Sequence, residues 1–194
     1  MTSIAEQADD AAGLLSALQT GPTLVFGNSL GAVIAHELVA RHPQVVRGAI
    51  VHEPALYSLY PCAQDLAGFW QARLAEGGPS YAIEVLTGMK EDDVLEGLDP
   101  GLVRRVFCNG EVACSLEIPA ILSHVPDIDA VSRSKVPLAV AAGKDTDMFY
   151  YGASRWLALR LEAEFHELPG GHTGYADRPE EFAEAVLPLL ERLC

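Results

Sequence analysis

The 194 residues predict an α/β protein: a parallel sheet with flanking helices, interrupted by a helical insertion. Three observations carry that expectation. Short apolar runs alternate with segments of helical spacing at both ends of the chain, the pattern of a parallel sheet covered on its faces. Between Pro54 and Ser134 helical patches are separated by Gly, Pro and Asp, with no convincing strand. The first apolar run also ends in Gly27-Asn28-Ser29-Leu30-Gly31 and passes at once into a helix former, a strand–turn–helix junction.

Taken in order, Ile4, Ala8, Ala11, Leu15 and Leu18 recur at helical spacing. Ser3 and Glu6 fit a capping box, and Gly21-Pro22 stops the helix. Thr23–Phe26 reads as a strand. Ala32 to Ala40 is apolar nearly all round, which suits a helix buried beneath a sheet. Val45 to Val51 reads as a second strand, buried on both faces. The helical patches of the insertion are Cys62–Glu76, Pro79–Leu86, Glu91–Leu95, Leu102–Phe107 and Glu111–Leu122. Its large residues Tyr57, Tyr60, Phe69, Trp70, Tyr81 and Phe107 either line a pocket or form the insertion's own core, and burial statistics favour the core. Val136–Ala142 is a third strand, Tyr150–Leu161 a helix and Glu164–Leu168 a fourth strand. Asp177 with Glu180 caps a last helix from Arg178 to Leu193. The expected organisation is residues 1–55 as the first part of the core, 56–133 as a helical lid insertion and 134–194 as the second part of the core.

Composition narrows the function classes. The net charge of −14 and the absence of any Lys/Arg cluster argue against a nucleic-acid partner. No apolar run approaches the length of a membrane span, and no basic-then-apolar leader opens the chain. Cys62, Cys108, Cys114 and Cys194 have no C-x-x-C spacing, so free thiols and a cytoplasmic protein are expected.

In a parallel sheet the loops after the strands share the carboxyl edge, where sites form. Here those loops present Ser29, then Glu53, then Asp145 or Asp147, then His172. Glycine on either side of Ser29 permits a sharp turn that holds the hydroxyl out at the strand end. Leu30 N–H, at a helix start, is placed to stabilise an oxyanion. His172, in the glycine-rich Pro169–Gly174 loop, is the candidate base, with a carboxylate to orient it. Asp145 ranks first for that carboxylate, Asp147 second and Glu53 third. The plain alternative for Ser29 is a helix N-cap without chemistry. His36-Glu37 does not extend to H-E-x-x-H because residue 40 is Ala, and Gly143-Lys144 lacks the rest of a phosphate loop. No cofactor and no metal are expected.

On these residues the chain resembles the α/β-hydrolase family, specifically members with a helical lid after the sixth strand. The stretches that carry the resemblance are Val25–Gly31, Val51-His52-Glu53-Pro54, Val136 through Gly143 and Leu168–His172. The resemblance implies a serine hydrolase acting on an ester or similar small acyl substrate, with a cofactor-free lyase or perhydrolase as a variant of the same chemistry. It also implies that the acid follows the glycine ending the seventh strand, where Thr146 stands at one of the usual offsets. Family members begin with four further strands and a helix before the segment matching Ile4–Leu18, including the loop that supplies the other oxyanion N–H. Against that pattern the chain reads as a truncated α/β-hydrolase fold, whose Thr23–Phe26 strand is an open edge for a second copy or another partner to cover. The rival expectation is an inactive remnant or binding protein of the same fold.

Overall fold

Helix α1 (Ile4–Leu18) opens the computed structural model of the protein, which describes residues 2–59, 63–87 and 100–193. It buries Ile4, Ala8 and Ala12, whereas Leu14 and Leu18 are exposed. Strand β1 (Thr23–Asn28) follows and runs two residues beyond the apolar stretch, because Gly27 and Asn28 still pair with Val51 and His52. Helix α2 (Leu30–Arg41) starts one residue after Ser29 and buries Ala32, Val33, Ala35, His36, Glu37, Leu38 and Val39. Such burial explains its lack of a polar face. Strand β2 (Val46–His52) is buried at every position except Arg47.

The chain divides into two units, Tyr57–His124 being the bulk of one and Ile4–Leu56 with Val125–Cys194 the other. In the first unit, α3 (Ala63–Thr87) joins two expected helices into one element with a kink at Gly78, whose φ of 72° and ψ of −168° are non-helical. Pro79 follows directly, so the second arm begins where a proline is tolerated. Helices α4 (Pro100–Cys108) and α5 (Gly110–Val112), a π-helical turn over Ala113–Glu117 and α6 (Ile118–Ser123) complete this unit. Trp70, Ala82, Ile83, Val103, Phe107, Cys114 and Ile118 form its core. Trp70 and Phe107 are therefore core residues, while Phe69 stays exposed with its ring edge-on to Trp70. Tyr81 takes a hydrogen bond from Arg73, and Tyr57 sits on a 3-10 turn. Tyr60, Glu91–Leu95, Cys62 and Cys194 lie outside the described residues. Cys108 and Cys114 are free thiols.

The second unit resumes before the expected boundary at 133/134. Helix α7 (Ile128–Ser134), N-capped by Asp127, packs Val131 among residues of α1, α2 and β2. Strand β3 (Leu138–Gly143), α8 (Met148–Leu161), β4 (Glu164–Leu168), α9 (Gly174–Asp177) and α10 (Pro179–Arg192) follow. The sheet is parallel in the order β1-β2-β3-β4. Its two faces use alternate residues of one strand, as the pleat requires. Ala49 faces the cluster of Ala8, Ala12, Leu38, Val39 and Val131. Ile50 faces Phe182, Val186, Leu189 and Leu193 from the C-terminal segment. Residues Asp177 and Glu180 do not cap α10 as expected: its N-cap is Arg178, and the Asp177 carboxylate accepts from Thr173 Oγ1 instead.

Candidate active site

Every strand ends on the same edge of the sheet, and the site is assembled from the four loops that leave it. Ser29 leaves β1 with φ 57° and ψ −119°, a strained conformation for a residue with a Cβ. Neighbouring backbone holds it there. Ser29 N–H donates to the His52 carbonyl at 3.1 Å, and its own carbonyl accepts from Ala32, Val33 and Ala55. Gly27 is what lets the turn close, since a Cβ at that position would overlap the Gly31 carbonyl. A Cβ on Gly31 would meet nothing, so only one of the two flanking glycines is sterically required. Leu30 is the first residue of α2, where an N–H has no intrahelical acceptor.

Glu53 leaves β2 in a left-handed conformation, φ 49°, with its N–H on the Ala141 carbonyl. Its side chain is fully buried. Oε1 accepts from Gly143 N–H at 2.6 Å, and Oε2 accepts from Thr146 Oγ1 at 2.9 Å. The same Oε2 lies 2.6 Å from His172 Nδ1. Burial pushes this carboxyl up, but the bonds from His172 and Gly143, then the nearby His52 ring and the Thr146 bond, leave it below the usual glutamate value. An ionised carboxylate only accepts, so His172 Nδ1–H is the donor in this contact, and Nε2 is the ring nitrogen that Glu53 does not engage.

The acid expected first by sequence is not the partner of His172. Asp145 turns its carboxylate outward, 59% exposed and 3.5 Å from Arg178, while its backbone N–H bonds the Gly170 carbonyl. Thr146, the next residue, points the other way and spends its hydroxyl on Glu53. Asp147 is also engaged elsewhere, as the N-cap of α8, accepting from Tyr150 N–H at 3.0 Å. Glu53, the third choice, is the carboxylate that the structure brings to His172.

Three residues that sequence reasoning did not single out complete the surroundings. Asn28 donates through Nδ2 to the His172 carbonyl at 3.2 Å and to His52 Nδ1 at 2.8 Å, tying the loop after β4 to the residue beside Ser29. Because the carbonyl can only accept, the amide orientation is fixed, and His52 is an acceptor at Nδ1 with its proton on Nε2. His52 is fully buried between Phe26 and Phe182. That burial lowers its pKa to about 4 against the raising effect of Glu53, so it is neutral at pH 7. Tyr150 stacks on the His172 ring, with centroids 3.8 Å apart and planes 17° from parallel. A signal for Asn28 was available, since a polar side chain beside a candidate nucleophile at a strand end is placed to reach the next loop. None marked the stack. Among the described residues no group of His, Cys, Asp and Glu could hold a metal ion, and no helix is long and apolar enough to cross a membrane.

The class of protein comes from comparison with known proteins. Residues 2–185 match the model of the alpha/beta hydrolase family, and the chain belongs to that family. It is 33% identical over 190 residues to an uncharacterized hydrolase of Bacillus subtilis, YraK, covering 95% of this chain and 69% of the relative. It is 28% identical over 200 residues to the pimeloyl-[acyl-carrier protein] methyl ester esterase of Chromobacterium violaceum, covering 95% and 76%. Among solved structures, a malate-bound thermophilic esterase from Thermogutta terrifontis superposes with a TM-score of 0.76 at 18% identity, covering 100% of this chain and 74% of that one. That last likeness speaks for the fold.

Proposed function

We propose that the protein is a serine hydrolase that cleaves an ester or similar small acyl substrate, with Ser29 as nucleophile, His172 as base and Glu53 as the orienting acid. The observation that carries the proposal is the 2.6 Å contact between His172 Nδ1 and the buried Glu53 carboxylate, in loops adjoining a strained serine turn. Nε2 takes the Ser29 proton as Oγ attacks the substrate carbonyl. Leu30 N–H stabilises the oxyanion that forms. The imidazolium, held by Glu53, then returns the proton to the departing alcohol, leaving the acyl group on Oγ. Water repeats the cycle: His172 takes its proton, the acid is released, and Ser29 regains its hydrogen. Esterase chemistry in one relative supports the ester class over other acyl groups.

The test is steady-state hydrolysis of p-nitrophenyl acetate and butyrate by the wild type, Ser29→Ala and His172→Ala. Turnover by the wild type that falls to background in both variants supports the proposal. Equal turnover in all three contradicts it.

A further inference from the structure

A single hydrogen bond fixes an axis, not a plane. Among the described residues Glu53, at Nδ1, is the hydrogen-bond partner of the His172 ring, and that one bond does not by itself set the plane of the imidazole. The loop backbone is held, by Asp145 N–H on the Gly170 carbonyl and by Asn28 Nδ2 on the His172 carbonyl, but those bonds stop at the main chain and leave the ring 29% exposed. What removes the remaining freedom is Tyr150. Its ring covers one face of the imidazole at 3.8 Å and 17°, contact distance for two nearly parallel aromatic planes. The two restraints are orthogonal. Glu53 sets where Nδ1 sits, and the tyrosine face sets the plane in which Nε2 then points.

Tyr150 is in turn held from two sides. Its backbone N–H is bonded by the Asp147 carboxylate, which caps α8, so the tyrosine occupies the first turn of that helix in a fixed orientation. Phe149 packs edge-on against its ring, with centroids 4.9 Å apart. Asp145 N–H meanwhile anchors the start of the same loop to the Gly170 carbonyl, in the loop that carries His172. The segment Asp145–Tyr150 thus does three separate things for one imidazole: it ties the loops, supplies Thr146 to Glu53 and lays an aromatic surface against the ring.

We infer that Tyr150 is a positioning residue for His172, acting through the flat face of its ring rather than through its hydroxyl, with Asp147 setting the tyrosine in place. This rests on the reading of His172 as the base. Its consequence is specific. Removing the plane should lower the rate of the steps that need Nε2 aligned with Ser29 and leave substrate capture unchanged, and phenylalanine should serve as well as tyrosine.

The experiment compares the full chain with Tyr150→Phe, Tyr150→Leu and Tyr150→Met. One arm measures kcat and KM on p-nitrophenyl butyrate. The other follows the downfield NMR resonance of the His172 Nδ1 proton, assigned with His172→Gln, in a Ser29→Ala background where turnover plays no part. The leucine and methionine variants should lose about 10–100-fold in kcat, the scale of a misaligned proton-transfer group, with KM within twofold. Their Nδ1 resonance should broaden or vanish, while Tyr150→Phe keeps both kcat and resonance. The inference is overturned if Tyr150→Leu and Tyr150→Met keep the sharp resonance, or if Tyr150→Phe loses as much as they do. If the wild type proves inactive but its resonance is sharp and depends on the ring at 150, the hydrolase reading fails and the positioning of the imidazole stands. Two non-aromatic variants are used so that a folding defect in one does not remove the test.

Discussion

His52 should make the fold sensitive to acid at a pH where its carboxylates are still ionised. The side chain is fully buried, faced by Glu53 and His172 and enclosed by Phe26 and Phe182. Protonation would do two unfavourable things. It would bury a cation, and it would put a proton on the nitrogen that accepts from Asn28. The pKa is accordingly lowered from 6.5 to about 4. The sign follows from linkage. The unfolded chain takes up a proton near pH 6.5 and the folded chain does not, so stability falls as pH drops from 6.5 toward 4. From pH 7.5 to pH 5 this amounts to ~2 kcal/mol, taking 1.36 kcal/mol per pKa unit. The perturbation that isolates it is His52→Gln, which keeps a hydrogen-bond acceptor for Asn28 and does not titrate. Urea denaturation of both proteins at pH 7.5, 6 and 5 is the assay. The wild type should lose ~2 kcal/mol more than the variant over that range. Parallel losses would refute the reasoning, because His52 would then take its proton as easily in the folded state as outside it.

Other outcomes follow from the same geometry. Glu53→Gln should cut kcat by up to about 10⁴-fold, since a neutral amide no longer favours the Nδ1–H tautomer or the imidazolium, while Asp145→Asn should change kcat on the same ester less than about threefold, as expected of an exposed pair with Arg178. Adding Thr146→Asp to Glu53→Gln should recover part of that loss, because Thr146 Oγ1 lies 2.9 Å from the oxygen that meets His172. Gly27→Ala should destabilise by ~1–3 kcal/mol or more through its overlap with the Gly31 carbonyl, whereas Gly31→Ala in α2 should be neutral or stabilising by up to about 1 kcal/mol; thermal denaturation of the two distinguishes them. The pH-rate profile of the wild type should not fall at its acid side through loss of Glu53 until below the usual glutamate range, since that carboxyl is lowered.

The sheet was legible because its strands are short runs bounded by glycine, proline and charge, two of them, β2 and β3, buried almost throughout. Glu164–Leu168 and Ile4–Leu18 fall where the sequence puts them. Strand ends were less so: β1 and β2 each extend past their apolar residues, since backbone pairing continues through Asn28 and His52. The insertion was read as helical, but the single kinked α3 was not foreseen, because Gly77-Gly78-Pro79 looks like a stop and the structure turns it into a bend. At the site, the serine turn and the histidine loop were visible as residue types at strand ends. The ranking of the carboxylates did not anticipate which one meets His172, for a local reason. Asp145, Thr146 and Asp147 are consecutive, and which of them faces inward depends on the Asp145–Gly170 backbone bond, a contact across 25 residues of chain. Glu53 reaches His172 only because its left-handed backbone turns it under Gly143. A pairing of that kind depends on tertiary placement and leaves no periodic trace.

The central claim is that Ser29 is an activated nucleophile. Fluorophosphonate labelling of the full chain, with peptide mapping and Ser29→Ala alongside, tests it most directly. The account predicts one adduct per chain, on the peptide carrying Ser29, absent in the variant and slowed in Glu53→Gln. A folded chain that takes no label, or takes it at another residue, would contradict it.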